Sequence, residues 1–176
     1  QERATDECWS LGEVACMRLS HDHYFMTIAK VVSLRSSCKS RQVGAILVDA
    51  DHYVLSTGYN GAAKGVPECD PCRRTGTESG IGLEGCMAVH AESNALLQCL
   101  DTRRIDTIYV TISPCFSCLK LLLNTPCKRI CYINSYPNQE SEDVWKEMRR
   151  EWCQIKFPTK ARSIIENLSK LAEYAA

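Results

Sequence analysis

His90 and Glu92 stand two apart in CMAVHAESNAL (86–96), a metal-ligating imidazole beside a carboxylate able to carry a proton. Further along, Ser113-Pro114-Cys115-Phe116-Ser117-Cys118 contains a CxxC. Alone, a CxxC is ambiguous between a redox pair and half of a zinc site. Pro114 falls where a helix would start, so Cys115 and Cys118, at i and i+3, share one helical face. Thiolates at a helix N-terminus are stabilised by its partial positive charge, which suits metal ligation. One His and two Cys make a three-ligand zinc site with the fourth position open for water, the layout of a catalytic centre. The bland alternative is a core histidine with two buried thiols. His90 and Glu92 also set a condition on the fold: in mid-helix, residues two apart point about 200° from each other. They can meet at one point only where a helix begins.

The elements that must do this positioning alternate along the chain. HYFMTIAKVVSL (23–34) has helical apolar spacing. VGAILVDADHYVLSTGYNG (43–61) predicts a hairpin turning at Asp49–His52. Residues 62–85 carry Gly, Pro, Cys and Thr without periodicity, and a loop that long needs something to staple it. AVHAESNALLQCL (88–100) predicts a helix, TIYVTISP (107–114) a strand, CFSCLKLLLNT (115–125) a helix and RICYINSY (129–136) a strand. EDVWKEMRREW (142–152) reads as a helix with a solvated face, QIKFP (154–158) as a short strand and ARSIIENLSKLAEY (161–174) as a final helix. A hairpin followed by βα units predicts an α/β fold, a mixed five-stranded sheet with helices on both faces. No repeat or linker divides the chain, so residues 1–176 are expected to form one domain, with 1–20 as an N-terminal extension.

Lys+Arg and Asp+Glu balance at 21 each, so no global field draws the protein to a polyanion. No apolar run approaches the ~20 residues that cross a bilayer, and the start lacks a charged-then-apolar signal pattern. Twelve cysteines without a secretion signal point to thiols or metal in a reducing compartment, hence a cytoplasmic location.

HAE followed by PCxxC is the signature of zinc-dependent nucleobase deaminases. With SCKSRQVGAILVDADHYVLSTGYNG, VHAESNAL and TIYVTISPCFSCLKLLL beside it, the chain resembles the cytidine/deoxycytidylate deaminase family, in its deoxycytidylate (dCMP) branch, over most of residues 25–158. The resemblance implies a three-layer α/β/α cytidine-deaminase-like fold and hydrolytic deamination of dCMP to dUMP and ammonia. It implies that His90, Cys115 and Cys118 hold Zn²⁺, which lowers the pKa of its water. Glu92 would take that water's proton, pass it to N3 of cytosine and then to the leaving amine. Asn60 would contact the sugar, with Ala91 and Tyr136 also at the nucleotide; Asn60-Gly61 as a mere turn is the alternative. The resemblance extends to dCTP and dTTP as effectors, with Mg²⁺ accompanying a triphosphate, and to a homo-oligomer, a hexamer. Ala63 in GYNGAAKG stands where many relatives have Pro.

Cys38, Cys69, Cys72 and Cys86 flank the hairpin and the long loop, and could close a second, structural Cys₄ zinc site that staples the loop. Free loop thiols are the alternative. Cys8, Cys16, Cys99, Cys127, Cys131 and Cys153 show no pattern and read as small packed residues. Lys39, Arg41, Lys64, Arg73 and Arg74 cluster near the hairpin and loop; Arg41 and Lys64 are the candidates for neutralising a nucleotide phosphate. His21 and His23 read as helix-start polar residues and His52 as solvated. Two other functions fit less well: a deaminase of cytosine or adenine in another free nucleotide or in a polynucleotide, and a zinc-stabilised binding protein without activity. Balanced charge and few aromatics weigh against a polynucleotide groove, and the intact Glu92 against an inactive protein.

Overall fold

A computed structural model describes residues 18–77, 85–137, 139–157 and 167. Its elements are α1 (His21–Ser33), β1 (Gly44–Val48), β2 (Val54–Tyr59), β3 (Gly61–Ala62), β4 (Ala88–Val89), α2 (Ala91–Gln98), β5 (Thr107–Ile112), α3 (Phe116–Leu123), β6 (Arg129–Asn134), α4 (Gln139–Glu147) and β7 (Glu151–Gln154). The main sheet has the order β2-β1-β5-β6-β7. β1 is antiparallel to both β2 and β5, while β5, β6 and β7 run parallel. This is the mixed five-stranded sheet expected.

Alternation along the central strands assigns the two faces. Ala45, Leu47, Ile108, Val110, Ile130 and Tyr132 join a core with Ala91 and Ala95 of α2, Leu119 and Leu122 of α3 and Trp145 of α4. Ile46, Val48, Tyr109 and Cys131 point the other way, into a second core with Phe25, Met26 and Ala29 of α1. β1 is buried on both sides, which is why GAILV reads as an unbroken apolar run. Two glycines set how close the helices come. A Cβ on Gly44 would strike the backbone of Ala29 and Ser33, and one on Gly58 the backbone of Ala91 and Ala95.

Several boundaries differ from the sequence expectations for local reasons. α2 begins at Ala91, because Ala88 and Val89 pair with Ala62 and Gly61 in a two-stranded ladder. That ladder clamps the base of the loop after β3. The helix expected through Trp152 stops at Glu147: Arg149 turns the chain at φ 56°, and the last strand is Glu151–Gln154, earlier than QIKFP. Arg150 is not part of a solvated helix face. Its guanidinium donates to the carbonyls of Leu122, Leu123 and Thr125 at the end of α3 and lies over the Trp145 ring. His52 stacks on His21 at 3.9 Å between ring centroids, so the hairpin turn leans on the start of α1. Cys127 and Cys131 are buried as packed residues, and Cys99 and Cys153 half-buried. The expected helix 161–174, apart from residue 167, lies outside the described residues, as do Cys8 and Cys16. No described helix is long and apolar enough to cross a membrane.

Candidate metal centre and active site

The site sits beyond the end of β5, the central strand of the sheet. β1 runs against β5, so the start of β1 and the end of β2 lie beside the end of β5, where open α/β sheets place their ligands. Thr111 Oγ1 ties this corner by accepting from Gly44 N at 3.2 Å. α2 and α3 both begin here. His90 is the N-cap of α2, with φ −71° and ψ 154°, and Cys115 the N-cap of α3, with φ −71° and ψ 165°. Both are extended rather than helical. The helix of the second motif therefore starts at Phe116, and Pro114 precedes the cap. This answers the condition on His90 and Glu92: the histidine is outside the helix and the glutamate in its first turn.

The middle of α2 is anchored on β2 by two hydrogen bonds. Ser56 Oγ donates to Ala95 O at 2.7 Å, and Asn94 Nδ2 to Tyr59 O at 2.7 Å. With the helices so fixed, His90, Cys115 and Cys118 bring their ligand atoms within 4.8 Å of one another. Cys115 Sγ lies 3.4 Å and Cys118 Sγ 3.3 Å from His90 Nδ1, so Nδ1 is the nitrogen that faces both sulfurs. Sulfur at ~2.3 Å and nitrogen at ~2.0 Å from a tetrahedral zinc stand about 3.5 Å apart. The three residues fit zinc.

The three donors are coupled to one another through shared protons. Cys118, then His90, hold the Cys115 thiol well below its ordinary range, while its partner Cys118 is pushed up by sharing the proton with Cys115 and by burial. The hydrogen bond with Cys115 raises His90 against its own burial. Glu92 is buried, and desolvation lifts its carboxyl to about 7. A carboxyl poised there can take and give a proton near neutrality.

A cavity of about 160 Å³ opens onto this group; His90, Ala91, Glu92, Cys115, Asn60 and Tyr136 line it. Tyr136 N donates to the buried Ser113 Oγ at 2.7 Å, which holds the loop after β6 over the cavity. Arg41 lines the cavity too; Lys64, exposed in the turn after β3, does not. Arg74 does, one of the basic residues around the loop that sequence reasoning left without a role, and its spacing carries no signal of it. Of the second cysteine set, Cys38, Cys72 and Cys86 line the cavity. They and Cys69 are half-buried thiols, and among the described residues only His90, Cys115 and Cys118 form a group of three or more metal-type ligands within 4.8 Å.

Residues 19–134 match the family model for the cytidine and deoxycytidylate deaminase zinc-binding region. The chain belongs to this family. Among relatives of this deaminase, the deoxycytidylate deaminase of Mycobacterium phage D29 is 41% identical over 119 residues, 63% of this chain and 92% of that protein. The deoxycytidylate deaminase of Saccharomyces cerevisiae is 32% identical over 154 residues, 85% of this chain; the match spans about half, 49%, of the yeast protein. The dCMP deaminase of cyanophage S-TIM5, solved in complex with dCMP and dUMP, superposes with a TM-score of 0.64 at 28% identity, covering 79% of this chain and 99% of that one.

Proposed function

We propose that the protein is a zinc-dependent hydrolase that converts dCMP to dUMP and ammonia. The observation that carries this is the buried Glu92 carboxyl beside a His90–Cys115–Cys118 set whose ligand atoms lie within 4.8 Å of one another. The names of the phage and yeast relatives, and the dCMP and dUMP bound by the cyanophage enzyme, support the substrate.

His90, Cys115 and Cys118 hold the zinc, which when bound acidifies a water and polarises it for attack. Glu92 takes a proton from the attacking water and delivers it to N3 of cytosine as the C4–O bond forms. The same carboxylate then takes the remaining proton from the C4 hydroxyl and delivers it to the amine, so that the C4–N bond breaks, the C4 carbonyl forms and ammonia leaves. Asn60, the Ala91 backbone and Tyr136 hold the nucleoside, and Arg41 at the cavity neutralises the phosphate.

We further propose a structural zinc on Cys38, Cys69, Cys72 and Cys86. Three of these thiols line one cavity, and the Lys39–Asp70 ion pair, 2.7 Å, ties the segment after α1 to the Cys69–Cys72 stretch.

The test is ammonia release from dC, dCMP, CMP, dCTP and a single-stranded cytosine oligonucleotide. dCMP is expected to turn over fastest; turnover of the oligonucleotide alone would sink the proposal.

A further inference from the structure

Asn60 is buried, and its side chain is nearly saturated by its own protein. Oδ1 accepts from Val43 N at 2.7 Å and from Ser36 Oγ at 2.7 Å, which occupies both lone pairs. Nδ2 donates to Arg41 O at 2.7 Å. A backbone N–H only donates and a carbonyl only accepts, so these partners fix which end of the amide is oxygen. Three of four hydrogen-bonding positions are taken. Among the described residues no acceptor takes the second Nδ2 proton, and Asn60 lines the cavity beside His90 and Glu92.

Ser36 is the side chain that completes this arrangement. It is buried just past the end of α1, and its Oγ lies 2.7 Å from both Asn60 O and Asn60 Oδ1, sharing one proton between them. The same oxygen accepts from Cys38 N at 3.2 Å. The segment is pressed onto its target, since a Cβ on Gly61 would lie 2.8 Å from Ser37 Oγ. Ser36 thus grips Asn60 through main chain and side chain at once, from the α1 side of the hairpin.

We propose that Ser36 is a positioning residue for sugar recognition: it holds the Asn60 amide so that the remaining Nδ2 proton donates into the cavity, to the sugar of the bound nucleotide. This rests on the dCMP reading above. A 5′-phosphorylated deoxyribose has one free hydroxyl, on C3′, so that oxygen is the acceptor.

The test uses zinc-loaded enzyme and two substrates, dCMP and 2′,3′-dideoxycytidine 5′-monophosphate, which lacks the C3′ hydroxyl. Ser36→Ala is expected to lower the ratio of their kcat/KM values about fivefold, the effect of one misaligned hydrogen bond, mostly through KM for dCMP. Turnover of the dideoxy substrate changes less than twofold. Ser36→Thr, which keeps the hydroxyl, restores the ratio to within twofold of wild type. Should Ser36→Ala not fold, Ser36→Cys keeps the volume with a weak donor, and its ratio must fall below that of Ser36→Thr. Equal losses on both substrates, or an unchanged ratio, overturn the assignment. Absence of dCMP turnover by the wild type would instead remove the parent reading, and this one with it.

Discussion

Two cysteine-bearing regions face one cavity in this molecule, and they are built in opposite ways. His90, Cys115 and Cys118 come from two helix starts clamped on a sheet, and their ligand atoms converge within 4.8 Å. Cys38, Cys69, Cys72 and Cys86 sit on irregular chain between elements, half-buried and not gathered. The first set is preorganised by hydrogen bonds and packing that owe nothing to a metal. Among the described residues the second set joins neither core, so a metal there would have to supply the folding energy itself. One region spends fold stability to make a site; the other would use a site to make stability.

The sharpest way to probe the first region is to remove its chemistry and leave its architecture. Glu92→Gln is expected to lower kcat by about 10²–10⁴, the range for losing a positioned acid–base group, with the catalytic zinc retained. Metal analysis alongside kinetics checks this. Loss of zinc together with activity would break the contrast, because the triad would then depend on Glu92 for assembly.

Cys72→Ser probes the second region. Zinc is expected to fall from about two per chain to about one, and the thermal midpoint to drop. With zinc at about a thousand times its Kd, the lost stabilisation approaches about 4 kcal/mol. Partial activity survives, since His90, Cys115 and Cys118 stand on their own helices. A chain that binds one zinc before and after the substitution would return Cys72 to the role of a free loop thiol.

The same contrast explains what could be read from the chain. HAE and PCFSC carry their chemistry in consecutive residues, and the alternating strands show their faces, so the site and the sheet were both legible. Boundaries were less so. The helix start at Ala91 depends on Ala88 and Val89 pairing with residues far back at Gly61 and Ala62, and the helix end at Glu147 on the turn at Arg149. Nothing near Ser36 in SLRSSCKS announces that its hydroxyl reaches Asn60, 24 residues on. Arg150 looked like one more surface charge because its acceptors, the last carbonyls of α3, are fixed only once β7 has turned back.

The smallest effect is expected where neither region is touched. Asp22, in the first turn of α1, accepts from Tyr109 Oη at 2.6 Å and from Arg129 at 3.2 and 3.1 Å, and Arg129 also bonds Glu151 of β7. Burial pushes the Asp22 carboxyl up, but the bonds from Arg129 and Tyr109 outweigh it and hold the group below its ordinary 3.8. A depressed carboxylate contributes stability above its unfolded value, and that contribution is lost as pH falls through the folded one. Asp22→Asn should therefore cost about 2 kcal/mol from pH 5 to 8, and the gap to wild type should begin to narrow below about pH 4 and close once pH has fallen through the lowered value of the folded carboxyl. Denaturant midpoints across that range measure it. Zinc content and the dCMP rate under folding conditions should stay at wild-type values, because this network pins α1 to β5 and β6 on the sheet face opposite α2 and α3. A gap that did not narrow at all as pH falls below about 4 would mean that Asn is excluded by shape rather than by charge.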